Sequence, residues 1–372
     1  MILCCAISSL TVTVNAQTSS VVWSKRYGYK GYESAEAVVE TSDGGFAIAG
    51  WIWSPTGMML VKTDKSGIME WIKTYAISDF DRAMALTETS DGGYALAGYA
   101  RPFESRGHDF WLVKTDADGN MEWNQLYGGL GAERAEAIIE TSDGGFALAG
   151  GGLLVKTDES GVMEWDQTYG MSIHSLIVTS DGGYVLFGLI GLEFFEYEQC
   201  LIKTDSNGTM EWNQTYNVVD LSHASAACVE ASDGGFLLAS GGLIAKTDEF
   251  GNMEWNKTCP ATSLLVKASD GGYVLAGGYL LVKTDVNGNI EWNQTYGGAE
   301  RHSIASLAAI SDGGYVLAGY YGNHDQLGQA DFWLIKTDER GYIPEFPSWI
   351  ILPLVLTITL FSVIIKRNIK GV

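Results

Sequence analysis

The chain has 372 residues, of which 46% are hydrophobic and 12% aromatic, with 46 glycines and only 6 prolines. This content suffices for a substantial core and excludes a disordered protein; with no long helical periodicity, it points to many short strands joined by tight turns. A formal charge of −22 excludes nucleic acid as a partner, because a phosphate backbone needs clustered Lys and Arg.

In chain order, the first expected element is a signal peptide over residues 1–16. Met1 to Val14 is apolar and rich in Ser and Thr, and Val14-Asn15-Ala16 has the small-x-small pattern of a cleavage site, although the basic start is missing. Cys4 and Cys5 would leave with it. Cys200, Cys228 and Cys259 sit at unrelated positions, so no disulfide framework is expected.

Residues 17–341 are dominated by a repeat. Ser-Asp-Gly-Gly followed by an aromatic recurs seven times, with its Asp at Asp43, Asp91, Asp143, Asp181, Asp233, Asp270 and Asp312. Lys-Thr-Asp also recurs seven times, from Lys62 to Lys336, and a third block ends in Trp23, Trp71, Trp123, Trp165, Trp212, Trp255 and Trp292. The spacing is about 45 residues per unit, the period of a four-stranded propeller blade. One unit reads as strand A (Ala135 to Thr141), a turn at Ser142 to Gly145, and strand B (Phe146 to Gly150). Strand C (such as Phe110 to Asp116), a turn at Ala117-Asp118-Gly119 and strand D (Asn120 to Tyr127) complete it. The expected fold is therefore all-β: a seven-bladed β-propeller with four antiparallel strands per blade. Val21 to Gly28 matches Met121 to Gly128, so the N-terminal strand is expected to complete the seventh blade and lock the ring, hiding two sheet edges. In the rival phasing, the Trp strand opens each blade and no such lock exists.

The block Leu112-Val113-Lys114-Thr115-Asp116-Ala117-Asp118-Gly119-Asn120-Met121-Glu122-Trp123 resembles the strand–turn–strand signature of quinoprotein-type propellers. The whole repeat resembles exported archaeal and bacterial propellers. The likeness implies a fold and no activity, and it supplies no cofactor site, so no cofactor is expected. At the other end, Ile343-Pro344-Glu345-Phe346-Pro347 lies in a linker over 342–348, before an apolar run over 349–365 and a basic tail over 366–372. This arrangement is similar to the PEF-type sorting signals of archaeal surface proteins, which implies processing by an archaeosortase; a plain membrane anchor is the alternative. The 17-residue run spans roughly 26 Å as a helix, enough to cross a membrane. Its basic flank places the tail in the cytoplasm and the propeller at the outer cell surface.

Unit length varies in one place. Units 1, 2, 4 and 7 carry inserts between strands B and C: Trp51 to Gly57, Arg101 to Asp109, Ile190 to Gln199 and Tyr321 to Asp331. These loops share a face with the D-to-A connections, while the repeated turns share the other. Function is expected where loops are individual on a rigid scaffold. All five histidines (His108, His174, His223, His302 and His324) fall on or near that face. His223 and His302 share a register with Glu33, Asp81 and Glu133, so acids and imidazoles are expected around the channel mouth as a polar-ligand or metal site. The plain alternative is that His appears only where the repeat is relaxed. Tyr29, Tyr32, Trp51, Trp53, Phe103, Phe194, Phe195, Tyr320 and Tyr321 gather there too, and flat rings beside carboxylates suit sugars or peptide side chains. Asn207, Asn213, Asn256 and Asn293 head sequons, candidate glycosylation sites outside the cell. The sevenfold Asp of the turns is expected to accept backbone hydrogen bonds, and Asp116-Ala117-Asp118-Gly119 to be a hairpin turn, since the rest of a calcium loop is missing. With no nucleophile elbow, zinc motif or phosphate loop, the expectation is a binding module for a glycan, peptide or protein. The alternative is an extracytoplasmic polysaccharide hydrolase or lyase using Glu33, Asp81 and Glu133 near His223 and His302.

Overall fold

A computed structural model describes residues 22–342, except 30, 103–106, 129–132, 192–196, 218–225, 262, 297–300 and 323–329. The signal peptide, sorting motif, apolar run and basic tail lie outside the described residues, as do Phe103, Phe195, His223 and His324. Among the described residues, no helix is long and apolar enough to cross a membrane.

The chain is a seven-bladed β-propeller with four antiparallel strands in each blade. Strand β1 (Trp23–Tyr27) precedes blade 1, which comprises β2 (Glu33–Glu40), β3 (Phe46–Trp53), β4 (Thr56–Thr63) and β5 (Met69–Tyr75). Blade 2 is β6 (Arg82–Glu88), β7 (Tyr94–Ala100), β8 (Asp109–Thr115) and β9 (Met121–Tyr127). Blade 3 is β10 (Ala137–Glu140), β11 (Phe146–Gly150), β12 (Leu153–Thr157) and β13 (Met163–Thr168). Blade 4 is β14 (Ser172–Val178), β15 (Tyr184–Gly191), β16 (Tyr197–Thr204) and β17 (Met210–Asn217). Blade 5 is β18 (Ala226–Glu230), β19 (Phe236–Ser240), β20 (Leu243–Thr247) and β21 (Met253–Thr258). Blade 6 is β22 (Leu264–Lys267), β23 (Tyr273–Gly277), β24 (Leu280–Thr284) and β25 (Ile290–Thr295). In blade 7, β26 (Arg301–Ala309), β27 (Tyr315–Gly322) and β28 (Ala330–Thr337) share a sheet with β1. Strand β1 runs antiparallel to β28, with Trp23 opposite Lys336 and Tyr27 opposite Phe332.

The burial pattern explains why these sequences make these strands. The second strand of a blade is covered on both faces, so β7 (Tyr-Ala-Leu-Ala-Gly-Tyr-Ala) is buried at every position and shows none of the alternation of a one-sided sheet. The fourth strand lies at the rim; β5 and β9 are exposed or half-exposed until their final Tyr. The hydrophobic clusters therefore form between blades. One joins Trp23, Phe332 and Val316 to Phe46, Ile48 and Met59; another joins Met58 and Leu60 to Leu96 and Trp111. Each sheet buries both faces only because it has neighbours, which is why a single unit could not fold alone.

Candidate functional site

The face made by the repeated turns is committed to structure. Lys62 is buried along its side chain, and its Nζ lies 2.7 Å from Asp43 Oδ2 and 3.2 Å from Glu70 Oε2. It also donates to the Thr63 carbonyl at 2.9 Å. The same Lys sits between a turn Asp and a rim Glu in blades 2 to 6, as with Lys156, Asp143 and Glu164. In blade 7 the position of the Glu is held by Val22, and Lys336 meets Asp312 at 2.6 Å. The Asp accepts a backbone hydrogen bond as expected, from Gly45 to Asp43 at 2.8 Å, but it also fixes a buried cation. Hydrogen bonds from Lys156, Thr141 and the Gly145 N–H hold the Asp143 carboxyl down at about 2. The Asp116 turn is a hairpin whose Asp caps its own backbone, accepting from the N–H groups of Asp118 and Asn120.

Rim residues stitch one blade to the next. Trp71 packs on Gly119 of the following blade, where a Cβ would sit 2.7 Å from the indole, and meets Tyr94 edge-on at 5.9 Å. Trp23 does the same to Gly67 and Phe46. The sequence reading recorded the recurring Lys and Trp but assigned them no partners. A signal was present: six rim Glu residues each follow their Lys by eight positions.

The loop face is different at each blade. Glu33, at the start of β2, is 0% exposed. Its Oε1 accepts from the Tyr29 N–H at 3.2 Å, while Oε2 is buried with no hydrogen-bond partner among the described residues. Burial pushes this carboxyl up to about 7, against the Tyr29 hydrogen bond and with help from Asp331. Asp81 holds the same register in blade 2 but is satisfied by its own loop, accepting from the Ile77 and Ser78 N–H groups at 2.6 and 2.8 Å and from the Ser78 hydroxyl. Glu133 in blade 3 again has a buried Oε2 without a partner among the described residues. It lines a cleft of about 610 Å³ with Tyr127, Gly128 and Met163. Burial, and then Glu133, raise the nearby Asp109 carboxyl.

His302 occupies the same register, with its ring 4.2 Å from Tyr321 and 5.1 Å from Trp333; Arg26 covers the other ring of this stack, 4.3 Å from the Tyr321 centroid. His108 is edge-on to Tyr99 at 4.8 Å, and burial followed by Arg134, Arg101 and Arg82 lowers its pKa, which favours the neutral ring. His174 Nδ1 lies 2.6 Å from Glu136 Oε2. The described acids and imidazoles thus share a face and meet there in local pairs, His174 with Glu136, Asp109 with Glu133 and Glu33 with Asp331; among the described residues no group of three or more His, Cys, Asp or Glu is arranged for a metal ion.

Aromatics concentrate at blades 1 and 2. Tyr32 stacks on Trp51 at 5.3 Å, Arg82 lies 3.9 Å from the Trp51 ring, and Trp51 Nε1 donates to Glu36 at 2.9 Å. Beside this closed stack, Trp53 is 53% exposed and Phe80 44%, and the two rings meet edge-on at 6.4 Å. Tyr29 and Ile77 are also exposed. The sequence reading named Trp53 and Tyr29 but missed Ile77 and Phe80, which stand in the blade 1 to blade 2 connection. All four sequon residues, Asn207, Asn213, Asn256 and Asn293, are exposed. Asn207 lies in a hairpin turn and the others on the rim strands.

No family model matches the chain, and no curated protein does. Among solved structures it is similar to a protein of unknown function from Bacteroides caccae, at 11% identity and a TM-score of 0.50, covering 68% of this chain and 92% of that one. It is also similar to Sqt1 from Chaetomium thermophilum, at 11% identity and a TM-score of 0.49, covering 85% and 86%. At such identity the likeness concerns fold alone.

Proposed function

We propose that the chain is an exported binding module that presents its loop face to a glycan, peptide or protein at the outer cell surface. The ring is closed by β1, and residues 349–365 anchor the chain, or are exchanged by an archaeosortase. The reading rests on the Trp53–Phe80 pair: two large rings left in water, one at the end of β3 and one in the connection from blade 1 to blade 2, on the face that the repeat does not hold constant. Isolated exposed apolar residues are ordinary, but Trp53, Phe80, Ile77 and Tyr29 lie on neighbouring loops of one face, as interaction sites do. The opposite face repeats from blade to blade, with each turn Asp committed to a buried Lys, so an individual recognition site fits the loop face better. Glycans on Asn207, Asn213, Asn256 and Asn293 would leave the loop face free.

Binding of the full chain to glycan and peptide arrays, with a pull-down from cell-envelope extract, tests this. Trp53→Ala and Phe80→Ala should each weaken the captured interaction about tenfold or more. Unchanged binding in both variants would remove the loop face from consideration. A second reading, a polysaccharide hydrolase or lyase, draws on Glu133, which lines the cleft between blades 2 and 3 together with Asp166 and acts on the nearby Asp109. Polysaccharide cleavage lost in Glu133→Gln would favour it over the binding module.

A further inference from the structure

The acids in one register of the loop face are treated differently at successive seams. At the seam between blades 1 and 2, Asp81 takes every partner it needs from its own loop, and the start of the preceding blade's third strand offers Gly57. At the seam between blades 7 and 1 that position is Asp331, and Glu33 points towards it. A Cβ on Gly28 would lie 2.6 Å from Glu33 Oε2 and 3.4 Å from Asp331 Oδ1, so both carboxyls converge where the glycine leaves room. Gly31 admits the other Glu33 oxygen in the same way, with the Ser54 carbonyl beside it. The arrangement recurs at the seam between blades 2 and 3, where Gly128 abuts Asp109 and Glu133 has its own buried oxygen without a partner among the described residues.

Two carboxylates brought together in a buried seam repel each other unless something positive lies between them. The Arg26 guanidinium stacks on Tyr321 and its charge acts on Asp331, but no hydrogen bond or ion pair among the described residues joins it to Glu33, whose Oε2 stays unsatisfied. Glu33, fully buried, keeps an oxygen that no described donor satisfies, and a buried unpaired acceptor of this kind is costly. We infer that the seam between blades 7 and 1 binds a divalent cation between Glu33 and Asp331, and that the cation is calcium. The donors are all oxygen, carboxylate and backbone carbonyl with water completing the shell, which suits a hard ion of flexible coordination and not zinc. Bound there, the ion ties the connection after β1 to the third strand of blade 7 and the first of blade 1, directly under the loop face.

The test compares thermal unfolding of the full chain in EDTA and in about 5 mM calcium, with calcium titration calorimetry in parallel. Calcium should raise Tm by about 4 °C and give a saturable binding heat. Glu33→Gln and Asp331→Asn should each abolish at least most of both responses, while Glu249→Gln, which removes one charge from an exposed turn, should leave them intact. If Glu33→Gln does not fold, Asp331→Asn is read alone. An absent calcium response in the parent chain overturns the inference, and so does an undiminished response in Asp331→Asn. The readout is independent of any glycan, peptide or protein ligand, so failure here leaves the binding-module reading standing.

Discussion

The hydroxyl of Tyr75, the last residue of β5, donates to the carbonyl of Gly119 in the next blade's hairpin at 2.7 Å. Equivalent bonds run from Tyr27 to Gly67, Tyr127 to Gly161, Tyr169 to Gly208, Tyr216 to Gly251 and Tyr296 to Gly341. Each is buried, so removing the donor strands a carbonyl in an apolar seam. Tyr75→Phe should cost about 1–2 kcal/mol, read as a lowered denaturation midpoint.

One seam lacks this bond. Cys259 stands where the other blades place Tyr, and its Sγ bonds to the Ala261 carbonyl within its own loop. Hydrogen exchange should therefore open first between blades 5 and 6, with the amides of β22 exchanging faster than those of β6 under native conditions. Equal protection at the two sites would show that the Tyr bonds contribute little to seam strength.

Gly44 and Gly67 have similar left-handed backbones, φ +79° and +69°, yet a Cβ at Gly44 would meet nothing within 4 Å, and at Gly67 it would meet the Trp23 indole at 2.6 Å. Gly44→Ala should cost the left-handed penalty alone, about 1–2 kcal/mol. Gly67→Ala should cost clearly more, because it also pushes Trp23 out of the seam. Urea titration of the two variants checks the ordering.

Acid should loosen the turn face. Asp43, Asp91 and Asp143 are held at about 2 in the folded chain; for Asp143 the Lys156 hydrogen bond is the main cause, whereas at Asp43 and Asp91 the Lys, Thr and Gly donors must overcome burial. A carboxyl whose folded pKa lies below its unfolded value of about 3.9 stabilises the fold above pH 4 and loses that contribution as pH falls towards 2. Lys62→Met should remove part of this pH dependence and cost about 1–2 kcal/mol at pH 7, a moderate figure because both acid partners reach solvent. Circular dichroism between pH 2 and 7 follows both effects.

Glu33 has the opposite sign. Its carboxyl is raised to about 7, so the folded chain holds the proton more tightly than the unfolded one. The burial cost is small at pH 4, grows between about pH 4.5 and 7, and is complete above 7. In EDTA, Glu33→Gln should be more stable than the parent by about 2 kcal/mol at pH 8 and no more stable at pH 4. Parallel stability curves across that range would contradict the raised pKa.

The repeat made the strands legible because seven copies average out local noise. Strand B of the third unit has its expected bounds, Phe146–Gly150; strand D of the second starts one residue later than expected, and strand C, expected over Phe110 to Asp116, is shifted by one residue at both ends to Asp109–Thr115. Strand A was read as Ala135 to Thr141, but β10 is only Ala137–Glu140; Ala135 still donates its N–H to Gly98 of the neighbouring blade, so tertiary bonds replace ladder bonds at its start. The loop face was legible only as a list of side chains. Its geometry depends on which acid finds a donor: nothing in the spacing of Asp81 and Glu33 says that one would turn to Ser78 and the other to Asp331. Phe80 was missed because a connection of variable composition has no repeat partner to mark it.

Trp333 in β28 donates to Ser24 in β1 at 2.8 Å, across 309 positions of chain. A ribosome adding roughly 5–20 residues per second needs on the order of 15–60 s to travel that distance. Throughout that interval β1 lacks the mate it has in the fold, and its Trp23, destined for a buried seam, has no seam to enter. Premature pairing with another nascent chain is the competing outcome, so yield should depend on translation speed and crowding more than on equilibrium stability.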